Sequence, residues 1–208
     1  MTPFTDLLGV AVPLLRPNVD TDAIIPSREI RGVGKAGLAQ GLFAGWRYTQ
    51  GDGRTPNPAF VLNRPEYAGA TVLVAGPNFG TGSSREHAVW ALTDYGFQAV
   101  ISPRFGDIFR NNSTKAGLVP VQVSPEVGRA LLDAVTTDPS LEITVDIERL
   151  RIEAPAAGIE ADFPLDAFTQ HRLLEGLDDI GLTLRFDGEI DAYEAGRPAW
   201  LPSLTGAV

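Results

Sequence analysis

The stretch ATVLVAGPNFGTGSSREHAVWALTDYGFQAVIS, residues 70–102, decides the fold of this chain. Its apolar start over 70–75 predicts a buried strand, and a turn containing three glycines follows. The segment 84–96 predicts a helix that ends at Gly96, and the apolar run 97–102 predicts the next strand. A strand, a helix and a second strand in this order indicate two parallel strands joined by a right-handed crossover.

The same alternation extends to both sides of this stretch. Residues 8–15 predict an earlier strand, and residues 104–123 predict a helix followed by a further strand. Together these segments predict an α/β fold with a mostly parallel sheet. Later elements are also predicted: a helix over 124–135, a hairpin over 141–154 that turns near Glu148, and a helix over 164–177.

The size of the chain predicts one domain with two excursions. With 208 residues, of which 44% are hydrophobic, residues 1–208 are expected to form a single domain around one core. Residues at about 27–58 are rich in glycine, with isolated aromatic residues, and predict a long loop excursion that contains one short helix. Residues at about 187–208 predict a C-terminal extension that lies on the surface or on a partner.

Charge and composition exclude several classes of function. A net charge of −9 argues against nucleic-acid binding, which requires a basic face. The sequence has no apolar run of about 18 residues and no basic, cleavable leader, so we expect a cytoplasmic protein without a membrane segment. The absence of cysteine excludes thiolate zinc sites and an iron–sulfur cluster held by thiolates of this chain, and no metal site is predicted.

The turn within residues 76–87 predicts an anion-binding site. Glycines that lead from a strand into a helix expose backbone N–H groups at the positive end of that helix, which attracts anions. Arg85 at the helix start is mildly unfavourable unless a ligand such as a carboxylate neutralises it. The alternative is a capping box, in which Ser83 caps the helix and Glu86 occupies its third position. Because neither a Walker A nor a G-x-G-x-x-G pattern is present, nucleotide binding has little support.

A specific resemblance covers most of the chain. The segment GPNFGTGSSREHAVWALTDYGFQAVISPRFGDIF, residues 76–109, together with NVDTDAIIP at 18–26, is similar to the swivelling domain of the aconitase superfamily. Within that superfamily it resembles the small subunits of 3-isopropylmalate dehydratases, and the similarity continues through 64–75, 111–123 and 176–184. The resemblance implies a three-layer β/β/α swivelling domain.

The resemblance also implies an activity. Members of this family interconvert 2-isopropylmalate and 3-isopropylmalate through 2-isopropylmaleate, as hydro-lyases of leucine biosynthesis. A large subunit holds a [4Fe–4S] cluster that acts as the Lewis acid. Because this chain has no cysteine, the cluster is expected in the large-subunit partner and no cofactor is expected on this chain.

The resemblance assigns roles to individual residues. Ser83 corresponds to the catalytic base, which acts as an alkoxide stabilised by the helix start and by nearby cations. Arg85 is expected to act beside it and to bind a substrate carboxylate with its planar fork. Ser84 is expected to bind the same carboxylate, with helix capping as the alternative. The residues expected to shape the site are Asn18, Asp20, Thr21, Asp22, Asn78, Gly80, Gly82 and His87.

Alternatives remain for several of these residues. The polar residues of 18–22 are also explained as turn formers whose side chains hydrogen-bond their own backbone. His87 is also explained as a residue that supports the turn or packs at the subunit interface. Arg16 corresponds loosely to a substrate-binding arginine of related aconitases.

The loop SREIRGVG, residues 27–34, is expected to determine substrate specificity. Ile30 and Val33 would offer an apolar wall to an isopropyl group, whereas Arg28 or Arg31 would suit an additional carboxylate. We expect Ile30, Arg31 and Val33 to contact the substrate. Because both kinds of side chain are present, a related dehydratase for citraconate/methylmalate or homocitrate stays an alternative function, and a non-catalytic anion-binding module is a third.

Overall fold

A computed structural model describes residues 2–30, 34–49, 54–82, 85–198 and 200–201. Within this part of the chain, one mixed sheet of seven strands has the order β4-β3-β2-β1-β5-β6-β7. The strands are β1 (Asp6–Leu14), β2 (Val72–Ala75), β3 (Ala99–Ser102), β4 (Val119–Gln122), β5 (Glu142–Asp146), β6 (Arg151–Ala154) and β7 (Ile159–Asp162). The helices are α1 (Thr21–Ile24), α2 (Ala44–Arg47), α3 (Glu86–Tyr95), α4 (Asp107–Ala116), α5 (Pro125–Thr137), α6 (Ala167–Glu175), α7 (Asp179–Leu184) and α8 (Asp187–Ala195).

The first four strands are parallel, as the alternation of strands and helices predicts. β1 pairs with β2 in the register Ala11 to Val72, and β2–β3 and β3–β4 continue the parallel set. Every residue of β2 and β3 is buried, as expected for parallel strands that are covered on both faces. The α/β fold class is therefore confirmed, with its parallel strands in the first half of the sheet.

The second half of the sheet is antiparallel. β5 pairs with β1, and β6 and β7 extend the sheet outward. The predicted hairpin is confirmed, because β5 and β6 are joined by a turn that spans Glu148. The sequence analysis missed β7, a four-residue strand in which Glu160 and Asp162 are exposed. The guanidinium of Arg151 on β6 forms ion pairs with both of these carboxylates.

The start of α3 differs from the prediction. The helix begins at Glu86 with Arg85 as its N-cap residue in an extended conformation, and the Arg85 side chain does not cap it. Glu86 is therefore the first helical residue, and the capping-box alternative, which needs Glu86 at the third position, is wrong. The predicted end is confirmed, because Gly96 adopts the left-handed conformation with φ 115° and its N–H bonds back to Leu92 and Thr93.

The two excursions contain more structure than the sequence predicts. The loop excursion holds the short helix α2, and also 3₁₀ turns over Ser27–Glu29 and Ala39–Gly41. Trp46 of α2 stacks on Phe43, with ring centroids 5.8 Å apart. In the C-terminal part, the predicted extension begins with the helix α8, which the sequence analysis did not identify. The division into a single domain with two excursions stays a prediction.

Parallel pairing determines where the candidate site lies. β1 ends at Leu14 and β2 ends at Ala75, and these two residues are direct partners in the sheet. The polar turns that follow the two strands therefore emerge side by side at the same edge of the sheet.

Candidate active site

The two polar turns are joined to each other by hydrogen bonds. The N–H of Asn18 donates to the carbonyl of Pro77 at 2.8 Å, and Nδ2 of Asn78 donates to Oδ1 of Asn18 at 2.7 Å. The carbonyl of Val19 accepts from the N–H of Gly80 at 2.7 Å. These bonds bring together, in one structure, residues that the sequence analysis assigned to a common site.

The second turn needs glycine at its centre. Gly80 has φ 73°, and a Cβ at this position would lie 2.2 Å from Cγ of Phe109 on α4. Gly82 has φ 88°, and its Cβ would lie 3.2 Å from Cβ of Asp20. The left-handed conformation and the close packing together explain why the chain has glycine here, because both disfavour a side chain. Asn78 also has a positive φ, of 61°, which asparagine tolerates better than most residues.

The first turn leads directly into α1. Asp20 is the N-cap residue of this helix, and its carboxylate accepts a hydrogen bond from the N–H of Ala23 at 2.7 Å. Thr21 is buried, and its N–H donates to the carbonyl of Thr81 at 3.0 Å, which ties the turn to the glycine motif. Asp20 and Thr21 thus hold the backbone in place, which agrees with an architectural role.

Arg85 is held by residues of the first turn and the loop that follows it. Its Nη1 donates to the carboxylate of Asp22 and to the hydroxyl of Ser27, the latter at 2.9 Å. The hydroxyl of Ser27 lies 3.5 Å from the same carboxylate oxygen of Asp22. The Arg85 side chain is 24% exposed, so part of it still reaches the surface of the protein. An arginine fixed in this way holds its remaining N–H groups in a defined plane.

Comparison with known proteins identifies the family. The model described as the Aconitase C-terminal domain matches residues 1–126, and the model described as the C-terminal domain of the 3-isopropylmalate dehydratase small subunit matches residues 179–207. A protein of Acidothermus cellulolyticus named 3-isopropylmalate dehydratase small subunit is 57% identical, over 98% of each chain. This chain belongs to the 3-isopropylmalate dehydratase small-subunit family.

Other members agree with this assignment. A small subunit of this name from Streptomyces griseus is 54% identical over the full length of both chains. A crystal structure titled 3-isopropylmalate dehydratase, from Methanocaldococcus jannaschii, is similar with a TM-score of 0.64 and 26% identity. The similarity covers 91% of this chain and 99% of that chain. The lyase and leucine-biosynthesis predictions are thus confirmed by the family.

Four residues to which the family resemblance assigns direct contact with the substrate lie outside the described residues. They are Ser83, Ser84, Arg31 and Val33. The described residues flank both gaps: Gly82 and Arg85 stand on either side of the serines, and Ile30 and Gly34 stand on either side of residues 31–33. The roles of all the predicted site residues in catalysis and binding stay predictions.

His87 packs against an aromatic residue of its own helix. The imidazole is half-buried and meets the indole of Trp90 edge to face, with ring centroids 4.8 Å apart. Nζ of Lys35 lies 5.3 Å from the centroid of the same indole. This contact lies within α3, and the role of His87 stays a prediction.

The base of the specificity loop is fixed by a contact that the sequence did not suggest. Glu29 has a side chain that is only 11% exposed, and its carboxylate accepts a hydrogen bond from Arg54 at 2.8 Å. Arg54 also donates to the carbonyl of Gln40 at 2.9 Å. Ile30 is half-buried and packs against the core. The excursion therefore holds residues 27–30, the first part of the loop that is predicted to determine specificity.

Two further arginines lie near the site. Arg16 is exposed and lies over the ring of Trp46, with its guanidinium carbon 4.4 Å from the ring centroid. Arg28 is 68% exposed, and its Nε lies 3.5 Å from the carboxylate of Glu29. The sequence analysis missed Ser27 and Arg54, because their partners are 58 and 25 residues away and no local pattern reports such contacts.

The donor set of this chain does not fit an iron–sulfur cluster. The sequence has no cysteine, and among the described residues no group of three or more histidine, aspartate or glutamate side chains is arranged to hold a metal ion. A [4Fe–4S] cluster needs thiolate or comparable ligands, which this small-subunit family member does not supply.

None of the helices in the described ranges is long and apolar enough to cross a membrane.

Proposed function

We propose that this chain works with a large subunit to interconvert 2-isopropylmalate and 3-isopropylmalate through 2-isopropylmaleate, in the cytoplasm. The large subunit holds the [4Fe–4S] cluster, and the present chain supplies the groups that bind a substrate carboxylate and move a proton. Full-length similarity to proteins named as small subunits supports the assignment to this enzyme.

A single observation carries the proposed role of this chain. Arg85, at the start of α3, is fixed by Asp22 and Ser27 while a quarter of its side chain remains exposed. A carboxylate that approaches the start of α3 meets this guanidinium together with the positive end of a helix of ten residues. In our proposal, Arg85 orients a substrate carboxylate so that the proton on the adjacent carbon points toward the base that removes it.

The proton is removed, in this proposal, by the alkoxide of Ser83. The hydroxyl group is a weak base in water, and its alkoxide needs hydrogen-bond donors and positive charge close by. The glycine turn that ends at Gly82 and the guanidinium of Arg85 flank this position along the chain. Ser84 is proposed to bind the same carboxylate, and Ile30, Arg31 and Val33 to contact the variable substituent.

Reconstitution tests the proposal directly. The purified chain is mixed anaerobically with the large subunit of the same organism, and turnover is measured with 2-isopropylmalate, citraconate and homocitrate. We expect turnover of isopropylmalate by the mixture and none by this chain alone, because it has no ligands for the cluster. If citraconate or homocitrate is turned over faster than isopropylmalate, that compound becomes the assigned substrate. Activity of the chain alone would contradict the two-subunit account.

A serine variant separates chemistry from structure. Ser83→Ala should lower turnover by about 10²–10⁴-fold, the range typical of a lost general base, while cluster content and melting temperature stay unchanged. Ser140→Ala, at an exposed position in the turn before β5, is the matched control and should keep normal turnover. Normal turnover by Ser83→Ala would remove Ser83 from the mechanism.

A further inference from the structure

The C-terminal helices carry an exposed apolar surface. We call Ile180, Leu184, Phe186, Tyr193 and Trp200 the C-terminal apolar surface; each is between 56% and 80% exposed. Nine large hydrophobic side chains are exposed among the described residues, and these five lie within a segment of 21 residues. Such a concentration on one segment indicates a surface that another molecule covers.

The two helices have little to stabilise them within this chain. No described residue of α7 or α8 is buried. Isolated helices of six and nine residues are marginal in water, because too few hydrogen bonds compensate the cost of nucleation. These helices therefore need a packing partner for the apolar side chains that they expose.

Polar contacts fix the position of α7 without covering its apolar residues. Asp179 forms ion pairs with Arg172 at 2.9 Å and with Lys115 at 3.4 Å. Ile180 and Leu184 are separated by one helical turn and lie on the same face, and both stay exposed. The ion pairs hold α7 on the body of the protein while its apolar face remains free for a partner.

The charge on α8 argues against a second copy of this chain as that partner. The helix contains Asp187, Glu189, Asp191 and Glu194 and no basic residue. The chain as a whole has a net charge of −9. Two copies that met through α8 would bring like charges together, which disfavours association, whereas a basic rim on another protein would be complementary.

The extent of the family matches points to the identity of that protein. The match to the Aconitase C-terminal domain ends at residue 126, whereas the match specific to the small subunit spans 179–207 and contains the whole C-terminal apolar surface. A swivelling domain that is a separate chain needs a surface that holds it to its large subunit. We infer that the C-terminal apolar surface docks on the large subunit, in an apolar groove with a basic rim. This inference rests on the proposed function.

A matched pair of leucine variants tests the inference. Leu184 is 60% exposed on α7 and Leu8 is 61% exposed on β1, so the two alanine substitutions remove the same group from equally exposed positions. Affinity of the full chain for the purified large subunit is measured by calorimetry without substrate. We expect Leu184→Ala to weaken binding about tenfold and Leu8→Ala to leave it unchanged. Circular dichroism of the free chain checks that Leu184→Ala keeps its helices, since alanine is a strong helix former.

Charge reversal tests the complementary rim. Asp191→Lys with Glu194→Lys places positive charges near the carboxyl end of α8, where they favour the helix. We expect this double variant to weaken binding about tenfold at low salt, with a smaller effect at about 1 M salt, where the screening length falls to about 3 Å. Unchanged affinity in both the leucine and the lysine variants would overturn the inference.

Two further outcomes have a defined meaning. If the wild-type chain is a dimer by sedimentation and Leu184→Ala makes it monomeric without changing its affinity for the large subunit, a second copy is the occupant and the inference is wrong. Failure of the proposed function is a separate result, because it appears as a wild-type complex that forms with normal affinity but does not convert isopropylmalate.

Discussion

The guanidinium of Arg85 donates a hydrogen bond to the carboxylate of Asp22, a residue 63 positions earlier in the chain. The hydroxyl of Ser27 accepts from the same nitrogen at 2.9 Å. The two turns at the carboxyl ends of β1 and β2 are therefore connected through side chains as well as through the backbone. The proposed substrate-binding arginine depends on the first turn for its orientation.

The Asp22–Arg85 contact predicts a defined kinetic effect. Asp22→Asn keeps a hydrogen-bond acceptor but removes the charge, so the guanidinium should lose part of its fixed orientation. We expect kcat/KM of the reconstituted complex for isopropylmalate to fall about tenfold, equal to about 1.4 kcal/mol of transition-state stabilisation. Asp133→Asn, on the exposed face of α5, makes the same chemical change away from the site and should have no effect. Equal kinetics for both variants would show that Asp22 does not position Arg85.

The central glycine of the second turn predicts a loss of stability. Gly80→Ala forces a Cβ into Phe109 and also places alanine at φ 73°. Gly69→Ala is a matched control, because Gly69 has φ 78° with open space around it. We expect Gly69→Ala to cost about 1–2 kcal/mol of unfolding free energy from backbone strain alone, and Gly80→Ala to cost about 1–3 kcal/mol more from the steric clash. Urea denaturation measures both, and equal losses would mean that Phe109 moves away freely.

The ion pair between Glu29 and Arg54, in the loop that is predicted to determine specificity, should have a measurable coupling energy. A double-mutant cycle of Glu29→Gln and Arg54→Met, measured as changes in the free energy of unfolding, should give a coupling energy of about 1–2 kcal/mol, since the Glu29 carboxylate is largely shielded from water. Arg185 and Glu175 form the control pair. The side chains of Arg185 and Arg54 are equally exposed, at 43% and 44%, but that of Glu175 is 52% exposed whereas that of Glu29 is 11% exposed. We expect the control cycle to give less than about 1 kcal/mol. A coupling for Glu29 and Arg54 no larger than the control would argue that this pair does not hold the loop.

The N-cap of α6 predicts a pH dependence. The N–H of Thr169 donates to the carboxylate of Asp166 at 2.9 Å, and this bond lowers the pKa of Asp166 below its usual value. A carboxyl group with a lowered folded-state pKa stabilises the fold above its unfolded pKa of about 3.9, and this contribution is lost as pH falls through the folded-state value. Asp166→Asn keeps the cap but cannot titrate. We expect the stability difference between wild type and Asp166→Asn to shrink as pH falls from 6 to below about 3.9; a constant difference would contradict the assignment.

Local sequence patterns predicted much of the fold. The strands β1 to β4 follow from apolar runs, and α3 and α4 follow from the segments between β2, β3 and β4. Gly96 and Gly117 end these two helices in the left-handed conformation. β7 was missed because its four residues include two exposed acids, and its pairing depends on Arg151 of the neighbouring strand. A short strand of this kind is specified by its neighbour more than by its own pattern.

The residues of the candidate site were named from the sequence, but their contacts were not. The resemblance pointed to the two turns, and the structure joins them through Asn18, Asn78 and Gly80. The contacts of Arg85 with Asp22 and Ser27 depend on the conformation of a long side chain after the strands have paired. No periodicity in the sequence reports that conformation, so these partners became visible only in three dimensions.

The side-by-side placement of the two turns has a consequence for folding. The amide of Asn78 and the carbonyl oxygen of the Asn18 side chain that it contacts are 60 residues apart in the chain, so the site forms only after a long loop has closed. Parallel pairing of β1 with β2 is the event that closes it, and non-local pairing of this kind is slow. Both strands precede the antiparallel half of the sheet in the chain. During synthesis, the segments that form both turns therefore emerge before β5 to β7.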